Sequence, residues 1–152
     1  MTSAHEELHR TAEERLREEG QRYTTTRRAL VQRLAAGGRP LSIPDLISGR
    51  RRVPQSSAYR NLATLKRAGV VRRVITEDDF ARFELDERLT EHHHHLVCSN
   101  CGRIEDATIP PAVERSIERT FDRVAREVGF ASVGHRLDLI GLCDDCASRT
   151  GS

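Results

Sequence analysis

All four cysteines of the 152-residue chain fall into two Cys-x-x-Cys pairs, 98/101 and 143/146, and none is left over. A deprotonated thiolate is a good zinc ligand, and this spacing lets two sulfurs from one tight turn share a coordination tetrahedron. Two such turns complete a closed, all-thiolate structural site. Gly102, directly after the first pair, suits the turn that this requires. Disulfides are the competing use of cysteine. The first ten residues, however, are polar and contain no apolar secretory core, so a reducing, cytoplasmic setting is expected. A thioredoxin-like redox centre would need one pair at a helix start, whereas both pairs here read as ending strands. Structural zinc is therefore the expectation for Cys98, Cys101, Cys143 and Cys146, a staple that by itself implies no activity.

Three residues ahead of the first pair stands an internal run, His92-His93-His94-His95. On an extended backbone successive side chains point to opposite faces, so His92 and His94 share one face while His93 and His95 share the other. One run can thus seed two separate metal sites back to back. Of the remaining histidines, His135 starts a predicted strand. His5 and His9 lie one helical turn apart and are expected to face solvent.

Charge divides the chain in two. Residues 1–75 carry a net +9 and residues 76–152 a net −7, so the overall +2 conceals a basic half joined to an acidic half. Between Gln21 and Ile75 there are 13 basic residues, all but Lys66 arginine, and a single acid, Asp45. Such a strip predicts a surface facing a polyanion, and arginine supplies the bidentate forks that suit phosphate and guanine edges.

In the basic half Leu8, Ala12 and Leu16 recur every four residues and predict an amphipathic helix that ends at Gly20. Thr24–Thr26 offer caps for a second helix closed by Gly37-Gly38. Ser42 precedes a short third helix, Ile43–Ile47, with Pro44 in its tolerated first turn. The run Arg50-Arg51-Arg52 leads to a fourth helix over Gln55–Ala68. Its stripe Ala58, Leu62 and Leu65 is expected inside, with Ser56, Ser57, Tyr59, Arg60 and Lys66 outside. Strands over Val70–Ile75 and Phe80–Leu85, joined by a turn at Glu77–Asp79, complete a winged helix-turn-helix order. In that motif the second helix of the pair lays its N-terminal residues into the major groove.

The acidic half reads as strand (92–97), knuckle, strand (103–109), long helix and strand (135–142). The helix opens at Pro110-Pro111, carries Val113, Ile117, Phe121, Val124 and Val128, and stops at Gly129. A module of about 60 residues has too little core to stand alone easily, so a metal staple or a partner is expected. No stretch approaches the roughly 18 apolar residues of a membrane helix.

Ser57-Ala-Tyr-Arg-Asn-Leu62 with Ala68-Gly-Val-Val71, the block His92–Gly102, His135-Arg-Leu-Asp-Leu-Ile-Gly141 and Cys143-Asp-Asp-Cys146 together resemble the ferric uptake regulator family of metal-dependent bacterial repressors. The resemblance spans roughly residues 12–147. It implies an α+β chain: a winged-helix DNA-binding domain over 1–86, a hinge at 87–91, and an α/β dimerisation domain over 92–152 with the four-cysteine zinc site. It further implies a homodimer that represses transcription from AT-rich palindromic operators on double-stranded DNA, with no membrane and no small-molecule substrate. Residue by residue, Tyr59 and Arg60, flanked by Ser56 and Ser57, match the DNA-reading helix, and Arg22 matches a basic residue directed to the minor groove. His92, His94, Glu114 and His135 match a metal site inside the dimerisation domain. Glu84, His93, His95 and Asp106 match the site that bridges the domains and senses a second divalent metal, Fe(II), Zn(II) or Mn(II).

The chain also departs from that pattern. The place where many members carry a histidine, ahead of Ser42, holds Pro40 and Leu41; Arg72 stands where zinc-sensing members often have Asp, and Arg88 or Asp86 where they have Cys. Two other readings compete with a metal-switched repressor. One is a peroxide-sensing relative, in which Asp is typical at the position of Glu84. The other is a zinc-dependent buffering or interaction module without a specific DNA target, which leaves the arginine strip unexplained. A zinc hydrolase would need an open site and a general base in a pocket, and no enzyme is expected.

Overall fold

The computed structural model describes residues 2–49, 53–74, 81–132 and 134–150. The chain separates into two compact units, 1–91 and 92–152. The Arg50–Arg52 run, the Glu77–Asp79 turn and the start of the second wing strand at Phe80 lie outside the described residues.

The N-terminal unit holds α1 (Thr2–Glu18), α2 (Thr25–Gly37), β1 (Leu41–Ser42), α3 (Ile43–Ile47), α4 (Gln55–Arg67), β2 (Val71–Val74), β3 (Arg82–Leu85) and a 3-10 turn at Glu87–Leu89. Local chemistry sets the helix ends. The Thr24 hydroxyl accepts from the Arg27 amide, and Gly38 closes α2 in the left-handed conformation at φ 60°. At α3, Ser42 and Asp45 form a reciprocal capping box. Leu16, Leu30, Val31, Leu46, Leu62, Leu65, Val70 and Val71 are fully buried and tie α1–α4 to the sheet. Each such side chain contributes about 1.5–3 kcal/mol by leaving water. The stripe expected of α4, Ala58, Leu62 and Leu65, lies in this interior.

Two features of this unit differ from the sequence expectation. The wing has three antiparallel strands in the order β1-β3-β2, the third being the two-residue β1, which pairs Leu41 with Phe83 and Ser42 with Arg82. Two residues are too few for a period-2 pattern to register. His9, expected to face solvent, is 3% exposed. Its Nδ1 is hydrogen-bonded to the Tyr23 hydroxyl at 2.5 Å. Burial lowers the pKa of His9 and pushes that of Tyr23 up to about 12.

The C-terminal unit holds β4 (His94–Cys98), β5 (Ile104–Ala107), α5 (Pro111–Glu127), β6 (Asp138–Gly141) and α6 (Asp144–Thr150). β4 is central, with β5 antiparallel on one side and β6 parallel on the other. A parallel neighbour needs a crossover, and α5 supplies it. Helix α6 was not expected. Cys143 immediately precedes it and Cys146 lies within it, so the second pair marks a helix start rather than a strand end. A helix start is also where a thioredoxin-like pair stands, but here the pair converges with a second pair instead of acting as a single redox turn.

Burial in this unit is sparse. Val97, Cys98, Ile104 and Cys146 are buried, while Val113, Phe121 and Val124 of α5, Val128 at its C-terminal cap, and Leu139 and Ile140 of β6 are exposed. The apolar stripe of α5 is thus present but uncovered within one chain. No helix among the described residues is long and apolar enough to cross a membrane.

Candidate metal centres and nucleic-acid interface

The turn after β4 and the start of α6 bring Cys98, Cys101, Cys143 and Cys146 together, with their sulfurs within 4.8 Å of one another. Cys101 Sγ and Cys143 Sγ are 3.7 Å apart. The edge of a tetrahedron with zinc–sulfur bonds of about 2.3 Å is about 3.8 Å, so the separation fits that ion. The left-handed Gly102 (φ 72°) closes the first turn, its amide donating to the Cys98 carbonyl at 3.0 Å. Backbone amides of Cys101 and Cys143 lower the Cys98 thiol to about 6. At Cys101 the backbone donor at Arg103 pulls downward, but the neighbouring thiols of Cys98 and Cys143 push it up to about 11. Four thiols this close cannot all ionise without a central cation.

A second cluster gathers His92, His94, Glu114 and His135. The Nε2 atoms of His92, His94 and His135 lie 3.1, 2.9 and 2.8 Å from the carboxylate of Glu114. The His94 contact is a hydrogen bond and holds the Glu114 pKa below the usual carboxylate value. The others are close without that geometry: Glu114 Oε1 and His135 Nε2 are both buried with no hydrogen-bond partner. Buried orphaned nitrogen and oxygen atoms aimed at one point suit a divalent cation. Extended backbone from His92 into β4 places the two imidazoles on one face, α5 delivers Glu114 from its first turn, and His135 approaches ahead of β6.

On the opposite face His93 and His95 lie beside one another, ring centroids 5.2 Å apart, with Asp106 of β5 contributing a carboxylate 3.9 Å from His95 Nε2. His95 is buried, and its Nδ1 lies 3.2 Å from Asp138 Oδ1. That is the arrangement in which a carboxylate orients an imidazole and the other ring nitrogen serves a metal. The remaining residue of the expected set, Glu84, belongs to the N-terminal unit. It is buried in β3 and bonded through Oε1 to the guanidinium of Arg72.

The expected DNA-reading residues lie on α4. Ser56, Tyr59 and Arg60 are exposed, Tyr59 by 51% despite its size. Ser57 is half-buried and its hydroxyl accepts from Asn61 Nδ2 at 3.2 Å. Arg22 is exposed in the segment before α2, and its carbonyl accepts from Arg27. Arg27 also donates to Asn61 Oδ1 at 3.0 Å, which fixes that segment to α4.

Sequence reasoning did not single out four residues that hold this machinery: Asp138 on His95, Asn100, whose amide donates to Cys146 Sγ at 3.2 Å, Arg27 on Asn61, and Arg72 as the partner of Glu84. Each partner lies twelve or more residues away in sequence, and no local spacing signals it.

Comparison with known proteins agrees with this layout. The model of the ferric uptake regulator family matches residues 18–140. A ferric uptake regulation protein of Cupriavidus metallidurans is 41% identical over 96 residues, 62% of this chain and 62% of that protein's length. A peroxide operon regulator of Bacillus subtilis is 28% identical over 140 residues, 90% of this chain and 91% of that protein. The solved ferric uptake regulator from Pseudomonas aeruginosa with manganese superposes with a TM-score of 0.66 at 28% identity, covering 85% of this chain and 95% of that one.

Proposed function

Because the chain belongs to the ferric uptake regulator family, we propose that it is a cytoplasmic, metal-responsive repressor of transcription, working as a homodimer on AT-rich palindromic DNA. The observation that carries this reading is the division of one histidine run into two ligand sets on opposite faces of β4, in a chain whose other unit presents Tyr59 and Arg60 on an exposed helix. Cys98, Cys101, Cys143 and Cys146 hold structural zinc in this reading. His92, His94, Glu114 and His135 form a second site within the C-terminal unit. Glu84, His93, His95 and Asp106 form the regulatory site for Fe(II), Zn(II) or Mn(II), drawing ligands from both units.

A divalent ion supplies a charge that carboxylate and imidazole ligands can share. The chain's own residues do the rest. Asp138 fixes the ring of His95. Ligands drawn from both units favour one inter-unit angle over others, and that angle sets the spacing of the two α4 helices in a dimer. The uncovered stripe of α5 and the exposed face of β6 supply the apolar surface for the second subunit. Arginines of the basic unit neutralise phosphates, so affinity falls steeply with salt.

The near full-length match to a peroxide operon regulator supports a second reading, in which the same histidines are oxidised by peroxide in the presence of Fe(II). A mass gain of one oxygen on His93 or His95 in the iron-loaded protein marks that reading; unmodified histidines after peroxide treatment exclude it.

The deciding experiment is selection from a random duplex pool with metal-stripped protein, alone and with Zn(II), Mn(II) or Fe(II), while bound metal is counted in parallel. Enrichment of one palindrome with one metal is the expected result. Equal enrichment without metal would remove the sensing role. No enrichment, with zinc still bound, would favour an interaction module without a DNA target.

A further inference from the structure

The wing contains a buried charge cluster that the metal-ligand reading leaves unexplained. Arg72 and Glu84 stand directly opposite one another in the antiparallel β2–β3 ladder, and their side chains are 9% and 8% exposed. The Arg72 Nε donates to Glu84 Oε1, while its Nη1 lies 2.6 Å from Glu87 Oε1 in the 3-10 turn that follows. One guanidinium thus holds two carboxylates, all three groups within the N-terminal unit. Arginine stays protonated under all ordinary conditions, so this positive charge cannot be removed by proton loss. A divalent ion that takes Glu84 as a ligand must share that carboxylate with a fixed cation a few ångströms away.

We propose that Arg72 sets the affinity of the regulatory site, competing with the metal for Glu84 while Glu87 draws the guanidinium in the other direction. The competition raises the metal concentration at which the site fills, and the balance between Glu84 and Glu87 as acceptors sets by how much. Arg72 is a positioning residue in this scheme, acting on the metal only through Glu84, and the proposal rests on Glu84 being a regulatory ligand.

The test measures metal affinity directly, using full-length protein that retains structural zinc and titrating Mn(II) or Zn(II) against a chromophoric chelator. Arg72→Gln removes the competing charge and should tighten binding at least about tenfold. Glu87→Gln leaves Arg72 with Glu84 as its main acceptor and should weaken binding several-fold. Glu87 is more exposed than the other two, so this second variant decides the matter even if Arg72→Gln fails to fold. Metal-induced shifts in melting temperature should move in the same two directions. Glu84→Gln separates the layers of the argument. If it leaves affinity unchanged, Glu84 is not a ligand, and the regulatory-site reading fails together with the proposal. If it weakens binding while Arg72→Gln and Glu87→Gln leave affinity unchanged or move it the opposite way, only the role of Arg72 is overturned.

Discussion

Asp138 stands opposite His95 in the parallel β4–β6 ladder, and its Oδ1 lies 3.2 Å from the Nδ1 of that imidazole. The pairing leaves Nε2 on the side of Asp106, 3.9 Å away. Asp138→Asn keeps the shape and half-exposed position of the side chain but removes its charge. The fold is expected to be retained and affinity at the proposed regulatory site to fall by about 10–100-fold. Mn(II) titration of the zinc-containing protein measures this; unchanged affinity would show that the contact orients nothing a metal uses.

Glu114 is the shared centre of the second cluster, within 3.1 Å of three imidazole nitrogens. Glu114→Gln is expected to lose one equivalent of bound metal per chain while thiolate-bound zinc is kept. Elemental analysis together with thiol titration separates the two pools. Full metal content in the variant would remove this cluster from the ligand sets.

Zinc held by the four thiols would carry more weight for the C-terminal unit than its few buried apolar residues do. Structural zinc contributes about 10–16 kcal/mol in small domains, as much as the whole stability of an ordinary one. Cys101→Ser, or chelation, should therefore abolish hydrogen-exchange protection across β4 and β5. Protection should persist at Leu30 and Leu62, which belong to a separate core. Equal loss in both units would mean that the first does not stand on its own packing.

Arg60 is exposed on α4 and belongs to no metal cluster. Arg60→Ala should weaken operator binding by about 1–3 kcal/mol, roughly five- to more than a hundred-fold, with metal content unchanged. Fluorescence anisotropy at several salt concentrations distinguishes a base contact, which relaxes sequence preference, from a phosphate contact, which lowers the salt slope by about one.

His9 gives the N-terminal unit a pH dependence with a definite sign. Burial depresses its pKa below the ordinary value of about 6.5, with the charges of Arg28 and His5 acting in the same direction. Well above about pH 6.5 the ring is neutral in folded and unfolded chains alike, so it adds no slope there. As pH falls below that value, the unfolded chain takes up a proton that the folded chain refuses. Stability is lost until the folded pKa is passed. Thermal melts between about pH 7.5 and pH 5 should show a steeper decline for the wild type than for His9→Gln. Parallel curves would show that the buried ring protonates at its ordinary value.

Much of the architecture is readable from local pattern. The apolar stripes of α1 and α4, the caps at Thr24 and Ser42, and the prolines opening α3 and α5 each act within one or two helical turns, and the helices form where these signals lie. Two elements escape for local reasons as well. β1 is two residues long, shorter than any periodicity, and α6 starts inside the second cysteine pair, where the turn spacing hides a helix start. His9 stands three and seven residues before Ala12 and Leu16, on the buried face of α1, and its hydrogen-bond partner Tyr23 comes from fourteen residues away, which no local pattern signals.

For the candidate sites the line falls in the same place. The cysteine spacing and the alternation of side chains along extended backbone are properties of the chain alone. They separate 92/94 from 93/95 and pair the thiols two by two before any fold is known. The partner of each ligand is another matter. Asp138 meets His95 because β6 adds to β4 in one parallel register, and Arg72 meets Glu84 because the wing pairs in one antiparallel register. A one-residue slip in either ladder would turn these side chains to opposite faces, and nothing within a few residues of any of them encodes that alignment. Only the packed sheets, whose burial and hydrogen bonding select one register, decide which charge each ligand faces.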